Sequence, residues 1–263
     1  MDLGLNGKRA FVSGSTRGIG LAIARALLDE GAAVVVNGRD EDTVRQTVTN
    51  LEAEHPGSTV AGIAADFADP AQVDRLLESL GDVDILVNNV GVFEVRAFEE
   101  VSDEDWQRYF DVNVMSAVRL SRRLLGPMLQ RGWGRIIVVS SESGVNVPAD
   151  MVHYGVTKAA TLALANGLAK RTRGTQVTVN TVLGGPTWSD GVAGAVEQVA
   201  HQLGRPVDDL RADLAAATPT SLLRRFIEPA EIADLTAYLA SPRSSATNGA
   251  ALRADGGVLT TML

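Results

Sequence analysis

Cysteine is absent from the 263 residues, which removes disulfides and thiolate chemistry and fits a protein of the reducing cytoplasm. Histidine is scarce: His55, His153 and His201 stand far apart, without the spacing of a metal site, so no metal is expected. No apolar run approaches the ~18 residues of a membrane span, and the first residues lack a basic-then-apolar signal pattern. A cytoplasmic chain without a membrane partner is therefore expected. Basic residues are outnumbered, 24 Lys and Arg against 32 Asp and Glu for a net charge of -8, which argues against nucleic acid as a partner. Linkers, low-complexity tracts and internal repeats are missing as well. The expectation is one domain over 1–263, with 45% hydrophobic residues sufficient for a substantial core.

Strand and helix patterns alternate along the chain. Strands are expected at about 8–13, 33–37, 59–64, 83–87, 134–140, 176–182 and 250–254, and helices at roughly 18–30, 40–54, 70–80, 103–129, 153–172 and 228–240. Such alternation calls for an α/β fold, a single Rossmann-type doubly wound parallel sheet of about seven strands with helices on both faces. A helical insertion at about 188–225 has the patterns Val192–His201 and Asp208–Ala217 and is placed to cover a substrate.

Tyr154 and Lys158 lie four residues apart, on one face of a helix, so the ammonium can lie beside the phenol. A neighbouring cation favours phenolate and suits the pair to proton transfer at a carbonyl or alcohol oxygen. Ser140 and Ser141 end an apolar run upstream. Near the N-terminus a short apolar strand leads into Gly14-Ser15-Thr16-Arg17-Gly18-Ile19-Gly20 and then an amphipathic helix. Glycines so placed let the backbone turn tightly and approach a pyrophosphate that faces the helix N-terminus. A third apolar strand ends in Asn88-Asn89-Val90-Gly91, amides suited to the carboxyl end of a parallel strand, and Asn113 falls within an apolar helical pattern.

This ordered set resembles the short-chain dehydrogenase/reductase family from about Leu5 to Gly257, including the 3-oxoacyl-carrier-protein reductases. The resemblance implies a catalytic tetrad of Asn113, Ser141, Tyr154 and Lys158, with Ser140 as a structural neighbour. Ser141 would hold the substrate oxygen; Tyr154 would donate or accept the proton. Lys158 would lower the tyrosine pKa and bind the nicotinamide ribose, and Asn113 would hold a water. The cofactor would lie on Gly14 to Gly20, Asn37, Gly38, Arg39, Asp66, Phe67, Asn89, Val90, Gly91, Tyr154, Lys158, Gly185, Pro186 and Thr187. A homotetramer, or a homodimer, built on the long helices is also implied, and the alanine-rich stretch Ala159–Ala165 is apolar on more than one face.

Cofactor choice turns on the end of the second strand. NAD-selective enzymes place an acidic side chain there, whereas this chain has Gly38, then Arg39, with Arg17 in the glycine loop. NADP(H) is expected over NAD(H), although Asp40 and Glu41 could neutralise Arg39. Family members usually have Pro-Gly where this chain has Gly184-Gly185, which predicts a looser loop under the nicotinamide. Phe93, Val95, Ser141, Val147, Met151, Trp188 and Val192 are candidates to line the substrate pocket, and His153 reads as a pocket or packing residue. No cation is aimed at a substrate carboxylate, so the small-molecule substrate is expected to be a neutral or mostly apolar ketone, aldehyde or secondary alcohol, or a 3-oxoacyl thioester. The expectation is an NADP-dependent oxidoreductase interconverting a carbonyl and a secondary alcohol. The competing class is a catalytically silent nucleotide-binding sensor or scaffold, which would have no chemical reason to keep the whole tetrad.

Overall fold

A computed structural model describes residues 2–262. Seven strands form one parallel sheet: β1 (Arg9–Val12), β2 (Ala33–Gly38), β3 (Val60–Ala64), β4 (Ile85–Asn88), β5 (Trp133–Ser141), β6 (Gln176–Gly184) and β7 (Ala251–Ala254). Their order is β3-β2-β1-β4-β5-β6-β7. The chain thus leaves β1 in one direction to build β2 and β3 and returns to the other side with β4. That reversal opens a crevice at the carboxyl ends of β1 and β4, where ligands of open α/β sheets bind.

Adjacent strand residues point to opposite faces, which divides the core in two. Val12, Val36, Ile137 and Val182 pack with Ile23 and Leu27 of α1 (Gly18–Asp29) and Ile232 of α9 (Pro229–Ala240). Phe11, Val35, Leu86 and Ile136 pack on the other face with α3 (Pro70–Leu80), α5 (Met115–Arg131) and α6 (Val152–Ala169). The remaining helices are α2 (Glu41–Glu54), α4 (Asp103–Asn113), α7 (Asp190–Leu203) and α8 (Val207–Ala216). Local signals set their ends. Asp40 caps α2 by accepting from Thr43 N at 2.8 Å, Ser102 caps α4 by accepting from Asp105 N at 3.1 Å, and Gly132 closes α5 with a φ of 73°.

Two expectations need correction. The single helix expected over 103–129 is two, α4 and α5, meeting at Val114, whose φ is -107°. Asn113 ends α4 there instead of lying inside a helix, because its side chain pairs with the backbone N–H and C=O of Val92 at 2.8 and 3.0 Å. The second concerns Gly184. β6 runs two residues further than the pattern suggested, so Gly184 is a strand residue paired with Ser141 on one side and Ala254 on the other. Sheet pairing restrains the position where the usual proline is missing.

Candidate active site

The glycine loop is held from two sides. Asn37, at the end of β2, accepts from Gly14 N at 3.0 Å, while its own N–H donates to Ser15 Oγ at 2.9 Å. Asn89, just past β4, donates through Nδ2 to the carbonyls of Ser13 and Gly14 at 3.0 and 2.9 Å. Gly14 and Gly18 have φ of 63° and 55°, which glycine adopts without strain. A Cβ on Gly20 would collide with the Gly14 carbonyl, and one on Gly14 would lie 2.8 Å from Val90 Cγ2. Gly14 and Gly20 therefore stay bare backbone at the mouth of the crevice, as close approach of a pyrophosphate requires.

At the far side of the loop, a Cβ on Gly38 would lie 2.6 Å from Thr16 Cγ2 and 3.1 Å from Val44 Cγ2. A larger side chain at this position would require Thr16 to shift. Arg17 and Arg39 are exposed on either side of it. Asp40 is occupied by its cap: Thr43 N and Oγ1 both donate to its Oδ1, and these hydrogen bonds hold its carboxyl below the usual range. Asp66 accepts from Ala68 N at 2.9 Å beyond β3, and the Phe67 side chain is buried in the core while its carbonyl accepts from Arg119 Nη1 at 3.4 Å.

Two bare backbones bring the catalytic groups together. The turn after β5 (Glu142–Gly144) lies directly on α6, because a Cβ on Gly144 would come within 2.9 Å of Lys158 C and one on Gly155 within 2.8 Å of Ser143 O. Ser141 is thereby placed opposite Tyr154. Ser140 instead turns its hydroxyl to the Lys158 carbonyl at 3.1 Å and to Thr161, a structural role. Lys158 is buried; its Nζ donates to the Val139 carbonyl at 3.0 Å and lies 5.6 Å from the Tyr154 ring centroid. A Cβ on Gly91 would lie 3.5 Å from Lys158 Nζ and 3.6 Å from Asn113 Oδ1, so all three border one small space. Asn113 Nδ2 also donates to Thr157 Oγ1 at 2.9 Å, and that hydroxyl donates to the Tyr154 carbonyl at 2.7 Å.

Burial pushes the Tyr154 phenol up to about 12, the Ser141 hydroxyl offsetting part of the rise and the Glu142 charge adding to it. Burial alone brings Lys158 down to about 8. The expected lowering of the tyrosine by its lysine is thus outweighed by desolvation, and the phenol is held in its protonated form. The lysine shift has a thermodynamic consequence. The unfolded chain binds a proton that the folded one has released between about 8 and the ordinary 10.5, so stability rises with pH across that window. Urea unfolding is expected to show the parent gaining about 2 kcal/mol on Lys158→Met between pH of about 7 and about 9.5. Parallel curves for the two proteins would refute the lysine assignment.

Phe93 reaches the tyrosine, ring to ring at 6.2 Å, and is half exposed, as are Val95 and Val147 on the same rim. Met151 precedes α6 at its N-terminal cap. Gly185 follows β6, where a Cβ would strike the backbone of Asp255. Thr187 donates to the Gly185 carbonyl at 2.8 Å, and Pro186 accepts from Ile227 N at 2.9 Å. Trp188 lies across Phe226 at 5.3 Å, with the Arg211 guanidinium 4.3 Å from its ring, and Val192 packs with Val196, Ala200 and Leu210 in a small core of the insertion. His153 is a packing residue, 1% exposed, with its ring 4.4 Å from that of Tyr109. Sequence reasoning did not identify Thr157, Glu142 or Asp190. Glu142 is half-buried beside Ser141, its carboxyl raised by burial and by Asp255. Asp190 accepts from Gly18 N at 2.7 Å across 172 positions. Among the described residues, no group of three or more His, Cys, Asp or Glu could hold a metal, and no helix is long and apolar enough to cross a membrane.

A parallel α/β sheet with a glycine loop at its switch point and a tyrosine, lysine and serine at the adjoining strand end defines a nucleotide-dependent oxidoreductase. The model of the short chain dehydrogenases matches residues 8–200. An uncharacterized oxidoreductase of Bacillus subtilis, YvrD, is 46% identical over 263 residues, covering 98% of this chain and 99% of its own. The D-beta-hydroxybutyrate dehydrogenase of Cupriavidus necator is 34% identical over 258 residues, covering 96% and 98%. The structure of L-sorbose reductase from Gluconobacter frateurii, complexed with NADPH and L-sorbose, superimposes with a TM-score of 0.94 at 34% identity and covers all of both chains. The chain belongs to the short-chain dehydrogenase/reductase family and is an oxidoreductase of alcohol and carbonyl groups.

Proposed function

We propose that the protein is an NADPH-dependent reductase of a small ketone or aldehyde, with Tyr154 as the proton donor. The observation that carries this reading is the convergence of Ser141, Tyr154 and Lys158 beside a glycine loop that fits a dinucleotide. NADPH would supply hydride to the carbonyl carbon. Ser141 holds the carbonyl oxygen by donating a hydrogen bond, and Tyr154 gives that oxygen its proton. A phenol kept protonated by burial is the form that reduction needs. Lys158 and Asn113, with Gly91 between them, border the route by which the tyrosine is reprotonated. Phe93, Val95 and Val147 supply an exposed apolar rim, with Phe93 meeting the Tyr154 ring. These features favour a neutral substrate.

Arg39 next to Gly38, Arg17 next to Thr16, and the close packing of Thr16 on Gly38 support NADPH over NADH. Parent protein is expected to bind NADPH about tenfold or more tightly than NADH, and Arg39→Asp to lose roughly 1.5–3 kcal/mol toward NADPH. Equal dissociation constants in the parent would sink this choice. The groove between α5 and α6, lined by Val118, Leu125, Leu129, Leu164 and Leu168 together with Arg122 and Arg171, supports a homotetramer or homodimer, which light scattering would test. The reductase reading itself is tested by following nicotinamide absorbance with a panel of ketones, aldehydes and alcohols and both cofactors. Tight NADPH binding without turnover on any of them would favour a silent sensor.

A further inference from the structure

Helix α1, which opens the cofactor site, carries no cap of its own. Its N-cap residue, Arg17, makes no side-chain cap, and its first turn holds no acidic residue. The missing acceptor comes from the insertion instead: Gly18 N donates to Asp190 Oδ2 at 2.7 Å. Asp190 is also the acidic residue in the first turn of α7, whose N-cap Ser189 makes no side-chain cap. One carboxylate therefore stands at the N-termini of two helices, where both macrodipoles favour negative charge. A Cβ on Gly18 would lie in ordinary contact, 3.6 Å from Ser189 Cβ, so the start of α7 stands directly against the loop.

The insertion has an apolar core of its own. Its apolar residues form a cluster of their own, Val196, Ala200 and Leu210 with Trp188, Val192 and Val207, separate from the two cores of the sheet. On its far side it is joined to the body by the Arg211–Glu228 ion pair at 2.7 Å and by Trp188 against Phe226. The Asp190 contact is what joins it to the glycine loop.

We propose that Asp190 is a positioning residue, a latch by which the α7–α8 insertion closes onto the glycine loop and slows release of the nucleotide. The proposal rests on the cofactor reading above. Asp190 takes the Gly18 amide, leaving the amides of Ile19 and Gly20 to the pyrophosphate, so the latch and the nucleotide use one helix N-terminus side by side. Opening the insertion breaks a charge-assisted hydrogen bond and uncovers the path along which the nucleotide leaves.

Two measurements on full-length Asp190→Ala and Asp190→Asn test this, with circular dichroism to confirm folding. Trypsin cleavage after Arg211, in α8, reads opening of the insertion without any nucleotide. The alanine variant is expected to be cut about tenfold faster than the parent, and the asparagine variant, which keeps an acceptor for Gly18, to stay near it. Stopped-flow displacement of NADPH reads the coupling: the dissociation rate should rise about tenfold in Asp190→Ala, with a smaller change in the association rate. Unchanged cleavage overturns the latch, and faster cleavage with an unchanged dissociation rate overturns its coupling to the nucleotide. An asparagine variant as fast as the alanine in both measurements also overturns it, because the bond to Gly18 would then not be what holds the insertion. Failure of the parent to bind NADPH would instead overturn the cofactor reading, while the cleavage arm still reports on the contact.

Discussion

Tyr154→Phe, which deletes one oxygen atom, is expected to lower kcat by about 10²–10⁴-fold and leave NADPH affinity near the parent value. The ring that meets Phe93 edge-on is retained, so the rim keeps its shape and only the proton donor is lost. A parallel pair separates chemistry from packing at the end of β5. Ser141→Ala should lose turnover, whereas Ser140→Ala should lose stability, since its hydroxyl serves Lys158 O and Thr161. Steady-state kinetics on any accepted ketone, with NADPH titrations, decide the matter. Parent-like turnover in Tyr154→Phe would remove the tetrad assignment.

Gly20→Ala is expected to have the second large effect, on binding rather than chemistry. The added methyl would meet the Gly14 carbonyl and come within 2.9 Å of Ser15 Cα, both backbone atoms pinned by Asn37 and Asn89. Relief requires the loop to shift, at a cost of about 1–3 kcal/mol and up to roughly a hundredfold in NADPH affinity. Gly194→Ala in α7 is the control, because nothing lies within 4 Å of its Cβ position. It should leave NADPH binding unaltered and slightly stabilise its helix. Thermal unfolding and fluorescence titration of both variants provide the comparison, and parent-like NADPH affinity in Gly20→Ala would show that the loop tolerates the methyl.

What could be read in advance was whatever depends on residues close in sequence. The strand, glycine turn and helix around Gly14, Gly18 and Gly20, the pair Tyr154 and Lys158, and the two insertion helices all belong to that kind. Features set by distant partners were not legible. The break at Val114 depends on Asn113 meeting the backbone of Val92, 21 positions away, and nothing in a helical period marks it. Gly38 could be read only as a missing acid, and its reason, Thr16 packed against it, needed coordinates. Trp188 and Val192 show the limit of apolar spacing, which marks a buried face without saying whether it covers a substrate or a neighbouring helix. The tyrosine pKa was anticipated in the wrong direction, because proximity of the lysine is visible in a sequence and depth of burial is not.

The strand order has a consequence for how the molecule comes into being. β1 cannot complete its pairing until β4 has been made, about 75 positions later by the Ala10–Ile85 register, and α1 rests against α9, more than 200 positions away. β7 flanks β6 only about 70 positions further on, by the Thr181–Ala251 register. A nascent chain on the ribosome would carry the glycine loop without its full support until α9, more than 200 positions later, has emerged. Contacts so far apart in sequence make for slow folding. During that interval the apolar strands stay open to solvent, which makes the half-made chain a natural client for chaperones.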